Sequence, residues 1–151
     1  MTATGRKNRP PRRYHGLLQA IGLLATVCTL AFQAALAQET DGRALYVDNC
    51  GGCHGMQLEG QADWMRRLPN GRLPAPPHDA TGHTWHHSDR QLMRIVKEGL
   101  ASIAPGYETD MPAFSETLSD EAIVSIIEYI KSTWPERERT LQQSSSASDQ
   151  P

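Results

Sequence analysis

Cysteine is scarce in this chain: three in 151 residues, with Cys28 inside an apolar run and Cys50 and Cys53 close together. A structural zinc site takes four Cys or His ligands in spaced pairs, and no second thiol pair exists to complete one. A thioredoxin-type dithiol follows a strand within a βαβ pattern, and neither is visible. Basic charge is scarce as well. Five of the fifteen Lys and Arg fall in the first thirteen positions, so the chain from Gln38 onward carries ten of them against all seventeen Asp and Glu. That balance excludes the basic surface a nucleic-acid role demands, and it mildly favours a partner with a basic docking patch. Aromatic residues are few, at 6%, while prolines number ten, which describes a small, loop-rich domain. No Ser/His/Asp or paired-carboxylate constellation stands out, so catalysis by side chains alone has no obvious seat.

What is present is Cys50-Gly51-Gly52-Cys53-His54. A C-x-x-C-H run is the pattern of c-type haem attachment: the two thiols add across the haem vinyl groups and the adjacent imidazole reaches the iron from one face. Such a chain also needs an export route, a second axial ligand and helices that wrap the macrocycle.

Arg6, Lys7, Arg9, Arg12 and Arg13 precede an apolar run from Leu17 to Leu36 that ends in Ala35-Leu36-Ala37. This is the form of a secretory signal cleaved after Ala37, or, because the run is long, of an uncleaved anchor in the inner membrane. The expected organisation is therefore a leader at 1–37, a haem domain at 38–135 and a disordered polar tail at 136–151, since Glu136 to Pro151 shows no apolar periodicity. Within the domain, Thr40 or Asp41 caps a helix running into Cys50. Gly42 in that helix either admits a close crossing by a second helix, with Tyr46 beside the contact, or is incidental at a frayed end. Residues 55–82 read as a long loop wrapped around something. Within it, the carbonyl of Pro74, Ala75 or Pro76 is a candidate acceptor for the His54 Nδ1 proton. Ser88 and Gln91 form a capping box for a helix closed by Gly99. Ser119 caps another helix, whose Ile123, Ile126, Ile127, Ile130 and Trp134 share one face.

Five methionines compete for the second axial position. Met1 leaves with the leader, and Met56 is too near His54 in sequence to reach the opposite face. Met65 sits in the loop on the His54 side, and Met93 lies beside an apolar helix face, where methionine is ordinary filler. Met111, fixed by Pro112 in an irregular segment between helices, is the candidate ligand; otherwise it is an exposed loop methionine. His78, His83, His86 and His87 are either a solvated loop leading into a helix or a cluster able to bind copper or zinc.

Gly42-Arg43-Ala44-Leu45-Tyr46 before Cys50-Gly51-Gly52-Cys53-His54-Gly55, then Met111-Pro112-Ala113-Phe114 and Leu118-Ser119-Asp120-Glu121 ahead of an Ile/Tyr-rich helix, resembles a bacterial, periplasmic class I monohaem cytochrome c over about residues 40–134. The resemblance implies an all-α fold of three to four helices and long loops around one covalent haem c. Its first and last helices would cross through Gly42 and Tyr46 against Ile126 and Tyr129. Cys50 and Cys53 would carry the thioethers, and His54 and Met111 would be the iron ligands. The expected function is periplasmic one-electron transfer between a donor and an acceptor protein, with membrane contact only if the leader is retained. Two other readings stand beside it: a haem enzyme or gas sensor with an open axial position, and a copper-handling module built on His78 to His87.

Overall fold

Asp41 starts the first helix by accepting hydrogen bonds from the backbone N–H groups of Arg43 and Ala44, each at 3.1 Å, which satisfies donors that a helix start leaves free. The computed structural model describes residues 41–150. The leader at 1–37, its cleavage position, Cys28 and the alternative cap Thr40 lie outside the described residues. Helix α1 is Gly42–Asn49 and the single turn α2 is Gly51–His54. A stretch without regular structure covers 55–83, followed by a 3-10 turn at Thr84–His86, α3 at Asp89–Glu98, a second 3-10 turn at Leu100–Ser102, α4 at Asp120–Ser132 and α5 at Glu136–Ser148. Among the described residues there is no strand, and the fold is all-α. Nor is any helix among them long and apolar enough to cross a membrane.

Both predicted caps form. The Ser88 hydroxyl accepts from the Gln91 N–H at 3.1 Å while the Gln91 side chain takes the Ser88 N–H at 3.4 Å, and Gly99 closes α3 with φ +87°. Ser119 accepts from the Ala122 N–H at 3.2 Å, and Asp120 and Glu121 sit in the first turn of α4, at the positive end of its dipole. The four isoleucines of α4 then divide between two apolar clusters. Ile126 and Ile130 join Tyr46, Leu58 and Trp134. Ile123 and Ile127 join Leu92, with Met93, Val96 and Leu118 at its edge. Each buried isoleucine contributes about 1.5–3 kcal/mol relative to exposure, so α4 is the element both clusters need.

Helix α1 crosses α4 at Gly42. A Cβ there would fall inside the Ser125 carbonyl and 3.0 Å from the Tyr129 Cβ, so the close-crossing reading of Gly42 holds and the frayed-end reading does not. The Tyr46 and Tyr129 rings lie beside the crossing, 5.6 Å apart.

The tail departs from expectation. It is helical rather than disordered, and with the turn at Gly51–His54 it brings the helices among the described residues to five. Its contacts are polar, which is why no apolar period announced them. Gln142, 1% exposed, donates from its amide nitrogen to Asp89 Oδ1 at 2.7 Å and to Ser146 Oγ at 3.0 Å. Ser146 Oγ in turn accepts the Asp89 N–H at 2.9 Å. Asp149 takes the Ser88 hydroxyl and the Arg90 guanidinium, and the Arg137 guanidinium lies 5.6 Å over the Trp85 ring. Burial opposes ionisation of Asp89, but hydrogen bonds from Lys131 and Gln142 outweigh it and hold the carboxyl below its usual range.

Gly42→Ala is expected to cost about 1–3 kcal/mol through overpacking, read as a lower urea midpoint of the haem-loaded protein with an unchanged slope. Gln142→Ala is expected to cost about 1–3 kcal/mol by stranding its buried polar partners; an unchanged midpoint would show that α5 adds nothing to the domain.

Candidate functional site

The site grows out of the end of α1. The Cys50 N–H donates to the Tyr46 carbonyl at 2.8 Å, and the N–H groups of Cys53 and His54 both return to the Cys50 carbonyl, at 3.1 and 2.9 Å. One tight turn therefore carries two thiols and an imidazole. The Met56 sulfur lies over Gly51, 2.7 Å from where a Cβ would stand. Both thiols are free, Cys50 half-buried and Cys53 exposed. Burial, with the neighbouring Cys53 adding to it, pushes the Cys50 thiol up to about 11, so at neutral pH it stays protonated.

His54 is buried, 6% exposed, and its Nδ1 lies 2.8 Å from the Pro76 carbonyl oxygen. A carbonyl only accepts, so Nδ1 carries the proton and Nε2 keeps its lone pair. Burial disfavours a second proton on the ring, and the Pro76 hydrogen bond only partly offsets that. Pro76 is thus the acceptor among the three candidates of the proline segment.

Residues 55–83 fold back to deliver that carbonyl. The Gly60 N–H donates to the His54 carbonyl at 2.7 Å, the Gln61 N–H to Ala75 at 2.9 Å, and the His78 N–H to Leu58 at 2.8 Å. Pro77 is held between two glycines: a Cβ on Gly60 would strike its backbone nitrogen, and one on Gly82 its carbonyl. The buried Tyr46 hydroxyl donates to the Gly55 carbonyl at 2.9 Å, and the buried Trp134 Nε1 donates to the His78 carbonyl at 2.7 Å. His78 stacks on His54 with ring centroids 4.0 Å apart and planes 22° apart.

Met111 lies outside this turn, half-buried, in the loop between α3 and α4. Its N–H donates to Thr109 Oγ1 at 3.1 Å. The neighbouring Asp110 pairs with Arg72, and the Arg67 guanidinium sits 6.0 Å over the Tyr107 ring, so the Met111 segment is tied to the loop that follows His54. Beyond it, the N–H groups of Phe114 and Ser115 bind the Val96 and Lys97 carbonyls at 3.0 and 3.1 Å, which fixes the segment to the end of α3. Of the other methionines, Met65 is 75% exposed, Met56 is exposed, and Met93 packs at the second apolar cluster.

The remaining histidines meet other side chains, and His83 and His87 also meet each other edge-on with centroids 5.7 Å apart. His83 stacks on Trp64 with centroids 5.4 Å apart, His86 on Trp85 at 3.7 Å, and His87 Nδ1 meets Gln91 Oε1 at 3.3 Å. Among the described residues no group of three or more His, Cys, Asp or Glu is placed to hold a metal ion. Ring stacking of His78, His83 and His86 and the contact of His87 with Gln91 are the interactions these side chains make here. The sequence reading missed the pairing of His78 with His54. The usable signal was its position directly after the proline segment expected to serve His54.

The donor set fits a haem attached through two thioethers: two free thiols in one turn, and beside them a neutral imidazole whose Nε2 lone pair is left over by the Pro76 hydrogen bond. A family model described as cytochrome C oxidase, cbb3-type, subunit III, matches residues 37–130. No curated protein and no solved structure matches the chain.

Besides His54, three histidines take up a proton less readily in the folded chain than the ordinary value of 6.5 implies. His78 is shifted most, by burial and then by its neighbours His54 and His83; His83 is shifted by burial and then by His87 and His86; His87 is shifted by burial, against an opposing bond from Gln91. Below about pH 6.5 the unfolded chain binds more protons than the folded one, so stability falls as pH falls. The urea midpoint of the haem-loaded protein is expected to drop between about pH 7 and about pH 5, and to drop less in His78→Phe. Equal slopes for the two proteins would remove His78 from this account.

Proposed function

The chain belongs to the c-type cytochrome family described as cbb3-type cytochrome c oxidase subunit III, and we propose that it is a periplasmic one-electron carrier with His54 Nε2 and the Met111 thioether as its axial ligands. It carries covalent haem c and exchanges electrons with redox partners. When bound, the haem supplies the ferric/ferrous couple. Cys50 and Cys53 tether it, and Pro76 holds the His54 tautomer that leaves Nε2 available.

The observation that carries the reading is the 2.8 Å contact between His54 Nδ1 and the Pro76 carbonyl, in the same turn as two free thiols. Hydrogen-bonded ligand imidazoles have this arrangement, because the second bond fixes ring orientation and raises ligand basicity. Met111 is supported by its half-buried place in a segment tied to the loop after His54 and to α3. A soft, neutral thioether favours ferrous iron and raises the potential, and two filled axial positions leave the chain no open coordination site for bond chemistry. The periplasm is supported by the basic start and apolar run of the leader. The family's description as an oxidase subunit supports an oxidase complex as the acceptor.

The test is an absorption spectrum of protein matured with a haem-attachment system, recorded ferric, ferrous and ferrous under carbon monoxide, for wild type and Met111→Ala. Wild type is expected to show the weak far-red sulfur-to-iron band and to resist carbon monoxide, and the variant to lose the band and bind the gas. A wild-type protein without that band that takes up carbon monoxide rapidly would point instead to an enzyme or sensor with an open axial position.

A further inference from the structure

The loop after His54 grips that imidazole from two directions with residues two positions apart. Pro76 accepts the Nδ1 proton, and His78 lies flat against the ring face at 4.0 Å. The two contacts restrain different motions. A single hydrogen bond fixes one edge of the imidazole and still allows the ring to twist about the line to the carbonyl; a flat ring on the face removes that twist. Stacking on the face also leaves Nε2 clear, because its lone pair lies in the ring plane.

His78 is itself held at every polar atom of its backbone and at one of its ring. Its N–H binds Leu58 at 2.8 Å, its carbonyl accepts Trp134 Nε1 at 2.7 Å, and its Nδ1 lies 2.7 Å from Thr84 Oγ1. Thr84 is buried, its hydroxyl also lies 3.5 Å from the Pro77 carbonyl oxygen, and its short contact with Nδ1 anchors that edge of the His78 ring. The Tyr46 ring meets His78 edge-on, with centroids 6.2 Å apart. None of this holding depends on solvent-exposed side chains.

We propose that His78 is a positioning residue for the proximal ligand: braced by Thr84, it fixes the plane of the His54 imidazole and the alignment of the His54–Pro76 hydrogen bond, and so sets how strongly ferric iron is favoured. The proposal rests on His54 being an iron ligand. The physical link is ligand basicity. A well-aligned acceptor at Nδ1 draws that proton away and makes Nε2 a stronger donor, which stabilises the ferric state. A ring free to twist loses alignment and, with it, part of that stabilisation.

The experiment measures the reduction potential and the low-temperature electron paramagnetic resonance spectrum of the ferric haem-loaded full chain, for wild type, His54→Ala, His78→Ala, His78→Leu and His78→Phe. His78→Ala and His78→Leu are expected to shift the ferric/ferrous ratio toward ferrous by about tenfold at fixed solution potential, equivalent to about 59 mV for one electron, and to broaden the g-values that report axial-ring orientation. His78→Phe keeps a flat ring against His54 and is expected to restore both readouts to near wild type. Wild-type potential and g-values in folded His78→Leu overturn the proposal, as does a His78→Phe protein that behaves like His78→Leu. Should His78→Ala fail to fold, the Leu and Phe pair decides, since both fill the site and only one presents a plane. His54→Ala separates the two levels: if it keeps the wild-type axial spectrum, His54 is no ligand and the functional reading falls with the proposal. If it loses that spectrum while His78→Leu remains wild type, only the brace is wrong.

Discussion

A backbone carbonyl cannot donate a hydrogen bond, and that elementary fact organises this molecule. With the Pro76 oxygen 2.8 Å from Nδ1, His54 has one tautomer open to it, and Nε2 is the nitrogen left with a lone pair. The donor and acceptor are separated by 22 positions, so the chain must close a long, proline-rich loop to make the contact. Much of what looks irregular between residues 55 and 83 is the means of closing it. Backbone bonds from Gly60, Gln61 and His78 tie the loop to itself, and the glycines at 60 and 82 let it pass on both sides of Pro77 where any larger residue would obstruct it.

The fold and the site share their most buried side chains. Tyr46 and Trp134 belong to the same apolar cluster as Ile126 and Ile130. Each also spends its polar group on the loop: Tyr46 at Gly55, just after His54, and Trp134 at His78, just after the proline segment. Large aromatic residues with a polar handle suit this double duty, since the ring fills the core while the handle finds a partner. In a chain with few aromatics, two of them bracket the loop at both ends, so a change in the packing of either reaches the loop that holds His54.

How much of this could be read beforehand depended on whether the interaction left a local pattern. The attachment turn, the capping box at Ser88 and Gln91, the Ser119 cap and the isoleucine face of α4 are short-range features, and each is written in consecutive residues. The Gly42 crossing was legible as a choice between two meanings and needed the position of Ser125 to settle it. Helix α5 was illegible because Gln142, Ser146 and Asp149 make its contacts, and polar residues at helical spacing resemble a solvated segment until their partners Asp89, Ser88 and Arg90 are placed. His78 was hidden for a different reason. Four histidines within ten positions invite a shared metal, whereas the fold sends one inward against His54 and seats two on tryptophans. Which imidazole goes where is decided by long-range packing, which residue type alone does not encode.

The two cysteines of the turn are not equivalent, for Cys50 is half-buried behind the end of α1 while Cys53 is exposed. In the proposed carrier each would be one anchor of the haem. The two anchors would thus differ in what backs them: one is packed against the helix that leads into the turn, and the other stands at its rim.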